Sequence, residues 1–194
     1  MRRIIKAIHV RAIRASATRG FLVIGHLVIP CALGRCGCRA FKREGDGATP
    51  VGHWSLEMLM WRPDRARHSV TALPGKPLRP DMGWCDDPRD RNYNRAVRLP
   101  YPASHEELWR ADNLYDFVIT LSHNSRPRIA GLGSAVFFHL ASADLRPTAG
   151  CLAISARDMY RALPFLGRGT MLIIGASARP SRDDRKSPNR REHR

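Results

Sequence analysis

The chain has 194 residues, 43% of them hydrophobic, with 14 prolines, 15 glycines and a formal net charge of +16. That length supports one domain with a proper core rather than two, and the proline and glycine content favours a turn-rich β or α+β fold over a helical bundle. No run approaches 18 apolar residues, so no transmembrane segment is expected, while the positive charge by itself admits nucleic acid, acidic lipid or a carboxylate-rich polymer as partner.

Charge is concentrated at the two ends. Residues 1–20 carry six Lys/Arg and no acid, and residues 177–194 carry seven against three acids. The first twenty residues read as a basic N-terminal arm, either an amphipathic helix or a first strand with a frayed start. Arg2, Arg3 and Lys6 precede an apolar stretch at 21–33, which is the order of an export signal. However, charge runs on to Arg19, Gly25-His26 and Pro30 interrupt the stretch, and no small-residue cleavage site follows. Two short apolar runs, 21–24 and 27–31, flank Gly25-His26 and predict a hairpin instead. Turn formers crowd residues 42–52, and an alternating strand is predicted at 53–60.

Residues 61–115 hold half of the prolines and three of the four tryptophans (Trp61, Trp84 and Trp109). So many aromatics predict an ordered excursion rather than a linker. Residues 115–121 and 135–140 read as buried strands, separated by Ser122-His123-Asn124 and a turn at Gly131 and Gly133. Residues 152–154 form a brief apolar segment. Ser155, with Asp158 three residues on, is a helix N-cap signature, and the helix is predicted to run to about residue 163, ahead of Pro164. A last strand follows at 170–174, and the charged segment 177–194 is expected to be a disordered basic tail. The expected catalytic unit is 21–176.

Five cysteines sit at 31, 36, 38, 85 and 151, an odd count that leaves a free thiol. Cys31, Cys36 and Cys38 lack the paired spacing of a structural zinc site. Asp86, Asp87 and Asp90 are interleaved with Pro88, Arg89 and Arg91 and read as an acid–base turn rather than a metal site. Cys85 beside them reads as structural. No metal and no cofactor is expected.

The stretch that carries chemistry runs from Phe137-Phe138-His139-Leu140, through a loop, to Pro147-Thr148-Ala149-Gly150-Cys151. A strand delivers a histidine, the loop turns back, and a cysteine follows a glycine just ahead of a helix. Such an arrangement is able to bring imidazole and thiol within hydrogen-bond reach, with an imidazolium lowering the thiol pKa. The backbone amides of Gly150 and Cys151 are candidates for an oxyanion hole.

Three blocks occur in register: the hairpin with Gly47-Ala48-Thr49-Pro50-Val51-Gly52, then His139 at the end of an apolar strand, then Thr148-Ala149-Gly150-Cys151-Leu152-Ala153-Ile154 followed by Asp158 and the final strand. Together they resemble the L,D-transpeptidase catalytic domain family (YkuD-like) over residues 21–175. The segment Trp84-Cys85-Asp86-Asp87-Pro88 with Asn92-Tyr93-Asn94-Arg95 resembles a compact branch of it. The resemblance implies a mainly β, α+β fold built as a β-sandwich with a short helix after the cysteine.

It implies Cys151 as nucleophile, His139 as general base, and acyl transfer on peptidoglycan stem peptides. The family commonly carries Ser-His-Gly-Cys and an arginine two residues after the cysteine, whereas this chain has Thr148-Ala149-Gly150-Cys151 and Ala153. His139 alone is then the base, and carboxylate recognition falls to other residues, with Arg146 and Arg157 as candidates. Trp84, Tyr93, Asn94 and His123 are further substrate-site candidates. A monomer in the periplasm or cell envelope is expected from the substrate, with a cytoplasmic location left open. The same site with water as acceptor would be an L,D-carboxypeptidase. A basic nucleic-acid-binding protein is the non-enzymatic alternative, although nucleic acid is not the expected partner because the arms lack interleaved aromatics.

Overall fold

The computed structural model describes residues 3–14, 17–67 and 70–175; the tail expected at 177–194 lies outside them. In chain order the elements are β1 (Ala7–Ala12), β2 (Arg19–Ile24), β3 (Leu27–Ala32), β4 (Cys38–Arg39), β5 (Thr49–Pro50), β6 (Gly52–Trp61) and β7 (Gly75–Pro77). They continue with β8 (Met82–Cys85), β9 (Arg95–Arg98), β10 (His105–Glu107), β11 (Phe117–Leu121), β12 (Phe137–Leu140), β13 (Leu152–Ile154), α1 (Ala156–Ala162) and β14 (Met171–Ile174).

Alternation explains the early strands. In β1, Ile8 and Val10 are buried while His9 and Arg11 face solvent. The basic N-terminal segment therefore supplies a strand at Ala7–Ala12, pairing in parallel with β14 and antiparallel with β2. β2 and β3 form the expected hairpin about Gly25, whose φ of 57° belongs to a tight turn.

The sheet does not stack as a sandwich. Its order is β11-β12-β13-β3-β2-β1-β14-β6, and β6 also pairs with β11, so eight strands close into a barrel. The ten-residue β6 makes the closure possible. Ser55 has β14 on one edge and the end of β11 on the other, and β7 continues the first edge beyond β14. Closure leaves no unpaired sheet edge among these eight strands, an advantage that two stacked sheets lack.

The barrel is filled by Ile8, Leu22, Ile24, Ile29, Phe117, Ile119, Phe138, Leu152 and their neighbours. Each such buried side chain contributes about 1.5–3 kcal/mol relative to exposure. Strands β11, β12 and β13 are buried on both faces. On their outer side Val118, Phe137 and the neighbouring Cys151 pack with Leu78, Met82, Leu108 and Tyr115 from the 61–115 excursion. That excursion carries its own three-stranded sheet, β10-β8-β9.

After β13, Ser155 caps α1. Its Oγ accepts from the Asp158 amide at 3.1 Å and donates to Asp158 Oδ2 at 2.7 Å. The α-helix stops at Ala162 and passes into a 3₁₀ turn, Leu163–Phe165, because Pro164 has no amide to donate.

Candidate active site

β12 and β13 run parallel, with Phe138 opposite Leu152 and His139 opposite Ala153. Parallel neighbours need a crossover, and the intervening loop supplies it. This register sets Cys151, just ahead of β13, beside Phe137. The Phe137 amide donates to Cys151 Sγ at 3.3 Å, and the thiol donates to the Ala135 carbonyl at 3.3 Å. His139 is two residues from Phe137 and so shares its outward face. Cys151 and His139 both line one cavity of about 630 Å³ between the barrel and the excursion.

The cysteine loop is pinned by two threonines. Thr148 Oγ1 donates to the Cys151 carbonyl at 2.7 Å and accepts from Gly150 N at 3.1 Å. Thr49 Oγ1 donates to the same carbonyl at 3.2 Å and accepts from Gly34 N at 2.8 Å. The turn-forming block at 47–52 thus acts on the cysteine directly, through its threonine. Sequence reasoning singled out the block but not Thr49; a polar residue followed by proline inside a turn was the available signal. Gly150 has φ 141°, and a Cβ there would lie 2.9 Å from the Ala48 carbonyl oxygen. Gly150→Ala is therefore expected to lower stability by about 1–3 kcal/mol, read as a lower urea midpoint. An unchanged midpoint would show that the loop relaxes freely.

Electrostatics differ from the sequence expectation of an imidazolium-lowered thiol. His139 Nδ1 donates to the Leu140 carbonyl at 2.8 Å, which leaves Nε2 as the basic nitrogen. Burial pulls the His139 pKa down to about 4, against the opposing pull of the Leu140 and Leu114 carbonyls. Burial likewise pushes the Cys151 thiol up to about 12; the nearby Glu106 charge adds to this, and the Phe137 amide and Lys42 oppose it. The resting pair is a neutral thiol and a neutral imidazole, and the thiol's hydrogen bonds go to backbone atoms rather than to the ring.

The sign of the linkage follows from His139. An unfolded histidine titrates near 6.5, above the folded value of about 4, so the unfolded chain takes up the proton first. Acidification from pH 6.5 to 4 is expected to destabilise the fold by about 3 kcal/mol through this residue. His139→Gln should remove that part of the acid dependence in denaturation curves measured across the window. Identical curves for both proteins would contradict the assigned burial. His123, also lowered by burial, titrates in both proteins and cancels from the comparison.

The cavity walls are networked. Tyr115 packs its ring at 5.1 Å from that of His139 and donates its hydroxyl to Glu106 at 2.9 Å. Arg110 pairs with Asp112 at 2.7 Å and with Glu106 at 3.3 Å. Lys42, only 7% exposed, donates to Asp46 at 2.5 Å and to the Arg43 carbonyl at 2.8 Å. Its positive charge favours a Cys151 thiolate. Lys42 is the second residue that sequence reasoning left without a role.

Of the candidates named from sequence, Cys151, His139, Gly150 and Arg146 line the cavity, whereas Trp84, Tyr93, Asn94 and His123 do not. Arg146 is exposed and paired with Asp144 at 2.7 Å. Trp84 sets its edge on Phe137 and donates to Asn94 Oδ1 at 2.9 Å. Asn94 in turn donates to the carbonyls of His123 and Asn124 at 3.1 and 2.8 Å, clasping the excursion to the barrel. Tyr93 donates to Glu44, which also accepts from Ser134 at 2.8 Å. His123 donates Nε2 to the Leu132 carbonyl at 3.0 Å and stacks edge-on with Trp54. These four side chains build the support behind the wall through Trp84 Nε1, the Tyr93 hydroxyl, the Asn94 amide and His123 Nε2, while His123 Nδ1 is buried without a hydrogen-bond partner among the described residues. Arg157 lies outside the cavity. Among the described residues no group of three or more His, Cys, Asp or Glu is placed to hold a metal ion.

A closed, mainly β barrel thus brings Cys151, just ahead of β13, and His139, on the neighbouring parallel strand β12, to one outward cavity. The chain belongs to the L,D-transpeptidase catalytic domain family (YkuD), whose family model matches residues 13–174. Membership carries an L,D-transpeptidase-family function in peptidoglycan. No curated protein and no solved structure matches the chain. No helix among the described residues is long and apolar enough to cross a membrane.

Proposed function

We propose that the protein is a cysteine-dependent L,D-transpeptidase that cross-links or remodels peptidoglycan through a thioester on Cys151. The supporting observation is the convergence of Cys151 and His139 in one cavity, with Nδ1 of the histidine committed to a backbone carbonyl. In the first step His139 Nε2 takes the thiol proton as sulfur attacks the carbonyl carbon of the third stem-peptide residue, a diamino acid. The tetrahedral oxyanion is assigned to the backbone N–H groups of Cys151 and Gly150; the latter must leave Thr148 Oγ1 to serve. His139 then returns the proton to the departing amine, releasing the terminal D-alanine and leaving the thioester. An amine of a neighbouring stem attacks the thioester, the proton passes through His139, and the thiol is regenerated. Work on this substrate assigns the protein to the cell envelope.

The neutral resting pair suits this sequence of steps. A substrate filling the cavity excludes water, and charge is created only as the carbonyl is attacked. The test is intact-protein mass spectrometry after mixing with a disaccharide-tetrapeptide. The expected result is an adduct on Cys151 equal to the donor less D-alanine, with a cross-linked dimer as product when an amine acceptor is present. Tripeptide alone, with acceptor in excess, would make the protein a carboxypeptidase. Absence of any adduct with carbonyl donors would overturn the thioester.

A further inference from the structure

Four basic residues line the cavity of Cys151, and three are already neutralised. Lys42 pairs with Asp46, Arg110 with Asp112 and Glu106, and Arg146 with Asp144. Arg35 is the fourth, and among the described residues no acid lies within ion-pair distance of it. We propose that Arg35 is the residue that recognises a carboxylate of the donor stem peptide and so sets specificity at this site. The assignment rests on the thioester reading above.

An exposed, unpaired arginine is ordinarily a solvated surface charge. Two features separate Arg35 from that default. Its side chain is laid over Gly47: a Cβ on that glycine would come within 2.8 Å of Arg35 Nε, 2.9 Å of Cγ and 3.2 Å of Cζ. The guanidinium is therefore seated on the turn block beside the cavity rather than free to sweep through solvent, and Gly47, at φ 65°, is what gives it room. The second feature is its backbone. Arg35 N donates to the Thr148 carbonyl at 2.8 Å, and the Thr148 hydroxyl holds the Cys151 carbonyl at 2.7 Å. Charge and nucleophile are thereby tied to the same short length of chain.

Among the described residues no acid on the same walls forms an ion pair with it. Glu44 accepts from Tyr93 and Ser134, and Glu106 and Asp112 are engaged with Arg110. The remaining acid, Asp86, has one carboxylate oxygen buried. A planar guanidinium with its donors unspent matches a carboxylate in two parallel hydrogen bonds, and a seated one loses little freedom in forming them. The two carboxylates of the stem-peptide donor nearest the bond that breaks are the terminal one of D-alanine and the free one of the diamino acid.

The experiment compares wild type, Arg35→Ala and Arg35→Lys on three donors: the free tetrapeptide stem, the same stem amidated at D-alanine, and the same stem amidated on the diamino acid. Arg35→Ala is expected to raise KM for the free stem about 10–100-fold with kcat changed far less, the range for losing a charged hydrogen-bonded pair. Arg35→Lys should recover part of the loss. One of the two amidated stems should cost wild type the same factor and cost Arg35→Ala nothing further, which identifies the carboxylate. Equal loss on all three donors, or an unchanged KM on the free stem, overturns the proposal. Wild-type protein that forms no Cys151 adduct with the free stem would instead sink the thioester reading on which it rests. Equal rates of Cys151 alkylation by iodoacetamide in wild type and variant would show that the thiol itself is undisturbed. A changed rate would mean that Arg35 acts through the loop, and would count against carboxylate recognition.

Discussion

Cys151→Ala is expected to give no detectable turnover or thioester on tetrapeptide stems while the protein stays folded. The chemistry disappears because the attacking atom is gone; the two hydroxyls that pin the cysteine loop, those of Thr49 and Thr148, both donate to the Cys151 carbonyl. Stability should fall little. The sulfur makes two hydrogen bonds, both at 3.3 Å and both to backbone atoms, and neither closes a network. Removing one small buried atom and two weak sulfur contacts costs about 1–2 kcal/mol. Product analysis by chromatography, paired with a thermal midpoint, reads both halves. Residual transpeptidation in the alanine variant would remove Cys151 from the mechanism, and collapse of the fold would make the thiol chiefly structural.

Loss of His139 should be nearly as severe. His139→Gln is expected to reduce kcat/KM about 10²–10⁴-fold, the range for losing a positioned general base. The pH profile discriminates further. With the thiol pushed up to about 12 and the imidazole pulled down to about 4, neither group ionises on its own across the neutral range. Wild-type rate should therefore hold on the acid side well below pH 6.5 and fall only as the buried imidazole takes up a proton. In the glutamine variant the acid limb should vanish, and the residual rate should climb steadily with pH as thiolate becomes more abundant. A wild-type acid limb centred near 6.5 would mean that the imidazole is exposed in the working enzyme, and a variant rate within threefold of wild type would assign the base elsewhere.

Much of this protein is written in local pattern. The paired apolar runs around Gly25, and Ser155 with Asp158, each act over a few residues, and each forms the element its pattern predicts, whereas the first twenty residues read equally as helix or strand until the structure pairs Ala7–Ala12 into the sheet. The block order around His139 and Cys151 points to the family by the same route, since a strand, a turn-rich loop and a helix cap are consecutive in the chain. What the sequence determined alone was therefore the hairpin, the strands at 53–60, 115–121, 135–140 and 170–174, the capped helix and the family to which the blocks point.

Tertiary structure decided the rest. Whether the sheets stack or close depends on β6 reaching both β14 and β11, partners that lie more than fifty residues away on the chain and leave no mark in the local pattern of β6. Thr49 holds a carbonyl 102 positions further on, and the Asn94 amide, the Tyr93 hydroxyl and His123 Nε2 make supporting bonds that no spacing rule reveals. The protonation state of the pair was likewise decided in three dimensions. Proximity in sequence suggested a thiol activated by a charged ring, but desolvation by the excursion packed over β12 and β13 outweighs that attraction and keeps both groups neutral. Burial depends on what folds back over a residue from elsewhere in the chain, and for that reason the chemistry of Cys151 became readable only once the barrel had closed behind it.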